Sequence, residues 1–177
     1  MSLDALKAAL PDYAKDLRLN LESLLSETGA PDLSPRQVRA VALASAIASR
    51  HRPLVEALEV VASESLAPAE IAGVRAAAAM MAMTNVYYRF THQLSNKEYE
   101  AMRAGLRMNV MRDPGIDKAS FELCALAVSA INGCGACMDS HERTIRQHDV
   151  SAQGVQSALK IAAVLHAVGV TLEQSAS

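Results

Sequence analysis

With 177 residues, 51% of them apolar, the chain has material for one ordinary globular domain rather than two. Seventeen Lys and Arg against nineteen Asp and Glu give a net charge of -2 and a pI near 6.2. That balance removes any electrostatic reason to expect nucleic acid, a polybasic membrane patch or an acidic substrate. Low charge with ample apolar content also argues against disorder.

Aromatics are scarce, with no Trp, four Tyr and two Phe, while Ala fills roughly a fifth of the chain, well above ordinary usage. A core of Ala, Leu, Val and Met points to close-packed helices. The N-terminal run Met1–Leu10 is short, amphipathic and interrupted by Asp4 and Lys7, so no signal-peptide core is expected. The most apolar stretches, 76–82 and 161–170, are shorter than the roughly 20 residues a bilayer needs. These features predict a soluble cytoplasmic protein without a membrane segment.

In chain order, Pro11 opens a helix carrying Leu17, Leu19, Leu21, Leu24 and Leu25, and Thr28-Gly29-Ala30-Pro31 breaks it. Ser34-Pro35 starts a second helix with Val38, Val41, Ala42, Ser45 and Ala46 at three- and four-residue spacing. Pro53 opens a third, and Ala67-Pro68 a long fourth reaching about Phe90. Ser95 and Glu98 have capping-box spacing, which predicts a short helix. Asp113-Pro114-Gly115 is a turn, and Asp117 caps a helix through Phe121, Ala125, Val128 and Ile131. Asn132-Gly133 interrupts it before Cys134, a further helix runs to about His148, and Ser151 caps a last one predicted to end near Gly169. No stretch requires a strand. The fold predicted is all-α, one domain over residues 1–177.

A faint internal echo lies at an offset of 84 residues. Ser45-Ala46-Ile47 matches Ser129-Ala130-Ile131, and Ala78-Ala79 falls on Ala162-Ala163. Read as a duplicated helical unit, it puts Arg50 and Pro53 in the places of Cys134 and Cys137, so only the second half carries chemistry.

The chemistry is concentrated in Cys134-Gly135-Ala136-Cys137, with His141 four residues on. An odd cysteine count with one C-x-x-C pair suggests redox or metal chemistry rather than a secreted disulfide scaffold. A helix beginning near Cys134 leaves backbone N–H groups unpaired, and its dipole favours a thiolate there. The spacing sets the sulfurs about one turn apart, within reach of a disulfide. His141 shares a helical face with Cys137 and can take or return its proton. Glu122, on the preceding helix, can point at the same pocket if the two helices pack through the Asn132-Gly133 corner. If this carboxylate and imidazole only move a proton, Phe at either position leaves the fold intact.

Blander readings compete. Cys134, Cys137 and His141 could bind zinc, but no second C-x-x-C supplies a fourth ligand. Cys124, in an apolar helix, reads as an inert core thiol. His51, His92, His148 and His166 have no companion pattern and read as surface or satisfied core residues. Met80, Met81 and Met83 read as core packing.

The series Glu122, eleven residues, Cys134-x-x-Cys137, three residues, His141 resembles the alkyl hydroperoxidase D family of the carboxymuconolactone decarboxylase-like superfamily. The likeness extends to 6–15 (LKAALPDYAK), 85–89 (NVYYR), 105–109 (GLRMN) and 132–135 (NGCG), and so covers most of the chain. The resemblance implies a helical protomer with a repeated unit, assembled as a trimer or a multiple of one. It implies an antioxidant thiol peroxidase and adaptor that reduces alkyl hydroperoxides with no bound cofactor. Electrons would come from the dihydrolipoamide group of a lipoylated carrier protein and pass to a partner peroxiredoxin.

Carried over by position, Cys137 would attack peroxide, Cys134 would resolve the sulfenic acid, and Glu122 and His141 would relay the proton. From the residues alone either sulfur could attack. One departure is Ala136, where some members carry a second His. If that His assists catalysis, its absence would leave this chain mainly a dithiol carrier. Two other functions compete: a general dithiol oxidoreductase or redox-regulated chaperone, and a lactone decarboxylase-like enzyme, against which the C-x-x-C pair argues.

Overall fold

Ser2 accepts a hydrogen bond from the Ala5 N–H at 3.1 Å and starts helix α1, Leu3–Ala9. It is the first element of a computed structural model that describes residues 2–175. After Pro11 a 3-10 turn at Asp12–Ala14 leads into α2, Lys15–Leu24. Helix α3, Pro35–Ser49, opens with a reciprocal cap: Ser34 Oγ accepts the Gln37 N–H at 3.2 Å, and Gln37 Oε1 accepts the Ser34 N–H at 2.9 Å. Helix α4 spans Arg52–Ser63, and α5, Pro68–Gln93, is the longest at 26 residues. The Glu70 carboxylate accepts the Ala67 N–H at 2.8 Å at the start of α5.

The short α6, Glu98–Ala101, does not use Ser95 as predicted. Asn96 Oδ1 accepts the Glu98 N–H at 3.0 Å, so the turn is tightened by the residue next to the expected cap. An irregular stretch with a 3-10 turn at Asn109–Met111 leads to α7, Lys118–Ile131, where Asp117 Oδ1 accepts the Ser120 N–H at 2.9 Å. Helix α8 spans Gly135–Gln147 and α9 spans Ala152–Ser175, with Ser151 Oγ accepting the Gly154 N–H at 3.0 Å.

The architecture is all-α, with no strand among the described residues. Helix α7 is the axis of the packing: residues 120–129 are all buried, and α3, α5, α8 and α9 surround them. Phe121 is its one fully buried aromatic; the rest of the centre is Ala, Leu, Val and Cys124. Small side chains let helix axes approach closely, which is how an Ala-rich chain fills a core without aromatics. Helix α9 is long and apolar enough to cross a membrane, unlike the shorter runs read from sequence. Here it packs against α2, α3 and α7 and buries Val155, Ile161, Leu165, Val168 and Leu172.

The predicted stop at Gly169 does not occur; α9 runs on to Ser175. A Cβ at Gly169 would lie 3.1 Å from Ser49 Cβ, so glycine serves close approach to α3 there, not termination. The starts of α3, α4 and α5 at 35, 52 and 68 recur in α7, α8 and α9 at 118, 135 and 152. The recurrence is one of element spacing.

Candidate active site

The site is assembled at the corner between α7 and α8. Gly133 takes φ +70°, a left-handed conformation that costs glycine little, and turns the chain from one helix into the next. The Cys134 N–H donates to the Ser129 carbonyl at 3.0 Å, anchoring the corner. Three hydrogen bonds brace it, joining α5 to the end of α7. Asn132 Nδ2 donates to Asn85 Oδ1 at 3.0 Å, Asn85 Nδ2 donates to Ser129 Oγ at 2.9 Å, and Arg89 donates to the Asn132 carbonyl at 2.6 Å.

Cys134 is the N-cap of α8 and Cys137 lies in its first turn, so both sulfurs sit where the helix leaves N–H groups unpaired. They are joined as a disulfide, with Cα atoms 5.3 Å apart. The two are not equally accessible: Cys137 is 7% exposed and lines a cavity, whereas Cys134 is fully buried. The cavity, about 310 Å³, is walled by Met81, Thr84, Tyr88 and His92 of α5, Met108 and Met111 of the irregular stretch, and Ala136, Cys137, Ser140 and His141 of α8.

Glu122 and His141 are both buried, and His141 Nδ1 lies 2.6 Å from Glu122 Oε2. The other carboxylate oxygen, Oε1, is 2.6 Å from the ammonium of Lys118, one turn earlier on α7. Burial opposes the charged form of Glu122, but the hydrogen bonds from His141 and Lys118 outweigh it and hold the carboxyl below its usual range. His141 Nε2 faces Met81 Sδ at 3.1 Å. His141 lines the cavity and Glu122 does not; both are buried and mutually bonded, so a Phe at either position would leave the other without its hydrogen-bond partner.

All four sequence-predicted residues thus converge at one corner. Cys124 is fully buried on α7, and burial pushes its thiol well above the ordinary range, in keeping with an inert core residue. With the two sulfurs bonded to each other and His141 Nδ1 to Glu122, no group of three or more His, Cys, Asp or Glu among the described residues is arranged as metal ligands.

Sequence reasoning missed Lys118, whose i, i+4 relation to Glu122 was the available signal. It also missed the α5 wall: Met81, Thr84, Asn85, Tyr88 and His92 form one stripe at helical spacing. His92, read as a surface or core residue, stands at the cavity. His51, read the same way, is buried with Nδ1 2.8 Å from Glu173 Oε2.

The carboxymuconolactone decarboxylase family model matches residues 97–176. Curated relatives match nearly end to end. The alkyl hydroperoxide reductase AhpD of Streptomyces coelicolor is 53% identical over 176 residues, 99% of this chain and 97% of its own length. That of Rhodopseudomonas palustris is 50% identical over 177 residues, covering 100% and 96%. The Streptomyces avermitilis protein of the same name is 53% identical, covering 99% and 98%. Identity at this level along practically the whole of both chains makes this protein a member of the alkyl hydroperoxide reductase AhpD family.

Proposed function

We propose that this chain is an antioxidant thiol peroxidase that reduces alkyl hydroperoxides through a Cys134–Cys137 dithiol/disulfide cycle. The observation that carries the reading is the buried Glu122–His141 pair set beside a disulfide whose Cys137 member borders a cavity. In the reduced enzyme the Cys137 thiol gives its proton to His141, and Glu122 steadies the imidazolium. The thiolate attacks the outer peroxide oxygen. An S–O bond forms, the O–O bond breaks, and the departing alkoxide takes the proton from His141 to leave as alcohol. Cys134 then attacks the sulfenic sulfur, closing the disulfide and releasing water. Dihydrolipoamide on a carrier protein restores the dithiol by exchange and is itself oxidised; the same dithiol serves a partner peroxiredoxin.

We place the protein in the cytoplasm as a trimer or a multiple of one. The Ala-rich helix faces and exposed Val60, Val86, Phe90 and Met102 supply apolar surface for copies of the chain. Sedimentation velocity giving one species near 18.8 kDa would end that part of the reading.

The deciding assay is hydroperoxide reduction with dihydrolipoamide, comparing wild type with Cys134→Ser and Cys137→Ser. Turnover should vanish in both variants, and a single peroxide-driven sulfenic acid should form only in Cys134→Ser. Ala136, on the cavity wall where some relatives carry His, favours a second reading as a dithiol carrier. That reading holds if wild type passes electrons to a peroxiredoxin but does not consume hydroperoxide alone.

A further inference from the structure

Lys118 breaks a local rule. It is the first residue of α7, directly after the Asp117 cap, where the helix dipole disfavours a cation. Glu122, one turn on, breaks another, because it is a carboxylate inside the buried run 120–129. The two violations answer each other. Lys118 Nζ lies 2.6 Å from Glu122 Oε1 and over the ring of the buried Phe121, 5.7 Å from its centroid.

A carboxylate has two oxygens to satisfy, and burial penalises a charged one left without a donor. Glu122 Oε2 is taken by His141 Nδ1, and Oε1 by Lys118. Among the described residues these are the two titratable groups that act on Glu122; α3, α5 and α9, which also pack on α7, contribute no charge to it. Without the ammonium, Oε1 loses its donor in a buried place. A proton on Oε1 then relieves the charge and leaves His141 facing a neutral carboxyl. Lys118 does not line the cavity, so a peroxide entering there does not meet it. Its route to the reaction runs through Glu122.

We infer that Lys118 is a positioning residue for the Glu122–His141 relay: its ammonium holds Oε1, leaves Oε2 to His141 and supplies the counter-charge of the buried carboxylate. The inference rests on the proposed role of that relay. Glu122 can steady a charge passing onto the imidazole during turnover only while it is itself an anion. The task needs a positive charge with N–H donors at the end of a long stem, which Arg also offers and Met does not. Because the ammonium is exposed, solvent screens its hold and keeps it modest.

The test compares full-length wild type with Lys118→Met and Lys118→Arg. Infrared titration of the oxidised proteins from about pH 7 to about pH 4 reads the protonated-carboxyl band of Glu122. That band is the difference between each protein and the same protein carrying Glu122→Gln. In Lys118→Met it should grow in at a higher pH than in wild type, and Lys118→Arg should restore the wild-type titration. Turnover should follow. Near pH 5, kcat of Lys118→Met should be roughly two- to fivefold below wild type, the scale of one exposed ion pair. The deficit should shrink toward about pH 7, with KM for the hydroperoxide unmoved throughout. If Lys118→Met lacks a cooperative melt, Lys118→Gln takes its place. A Glu122 band that titrates as in wild type, or a kcat deficit equal at every pH, overturns the inference. A band displaced as expected, beside a wild type that reduces no hydroperoxide, would instead refute the peroxidase reading and leave the hold of Lys118 on Glu122 standing.

Discussion

Replacing Glu122 with Gln removes a buried charge while keeping its shape, and the structure sets the size of the effect. The contact to His141 joins side chains 10% and 5% exposed. A charge-assisted hydrogen bond so enclosed contributes about 1.5–3 kcal/mol. Lys118 is 43% exposed, so its bridge adds at most about 1 kcal/mol after solvent screening. A total of about 2–3 kcal/mol lowers the melting temperature of a chain this size by about 4–12 °C. Because the Glu122 carboxyl is held below its usual range, its contribution is complete above the ordinary value of about 4.3 and is lost as pH falls through the depressed one. The gap between wild type and Glu122→Gln should therefore close as pH falls below the ordinary carboxyl value of about 4.3. Calorimetric melts on either side of that value measure it. Hydroperoxide turnover by the same variant should drop by about 10²-fold or more. Equal melting temperatures near neutrality, or a gap that persists in acid, would refute the ion-pair account.

Cys124 should resist alkylation in the native oxidised protein and become the single alkylatable cysteine on denaturation, which mass spectrometry reads directly. Gly73→Ala should destabilise by about 1–3 kcal/mol, because the new Cβ would fall 2.5 Å from the Pro114 carbonyl oxygen and 2.7 Å from Ile116 Cγ2; a denaturant midpoint equal to wild type would contradict this. Asp117→Ala removes the cap of α7 and should cost about 1 kcal/mol by the same measurement, with the disulfide intact.

What the sequence made legible was local. Ser34-Pro35, Asp117 and Ser151 are start signals read within one helical turn, and Ser34, Asp117 and Ser151 each cap their helix as expected. The redox pair and His141 were legible for the same reason, since they share the first turns of α8. Glu122 needed one long-range assumption, packing through the Asn132-Gly133 corner, and the corner is where α7 meets α8. The α5 wall was not legible: its Met and Tyr residues look like packing until one knows which helix faces the cysteines. Met108 and Met111 come from a stretch without periodicity, so no pattern announced them. Gly169 misled because a glycine chosen for close approach and one that ends a helix look alike in sequence.

The unequal burial of the two cysteines has a kinetic consequence. A peroxide and a reductant that enter by this cavity meet the same residue, Cys137, whereas Cys134 does not line it. The oxidising and reducing half-reactions then cannot proceed side by side; each must wait for the other to vacate the entrance. Such an enzyme runs by alternation, with parallel double-reciprocal lines, and an excess of either substrate slows the cycle by occupying the entrance the other needs.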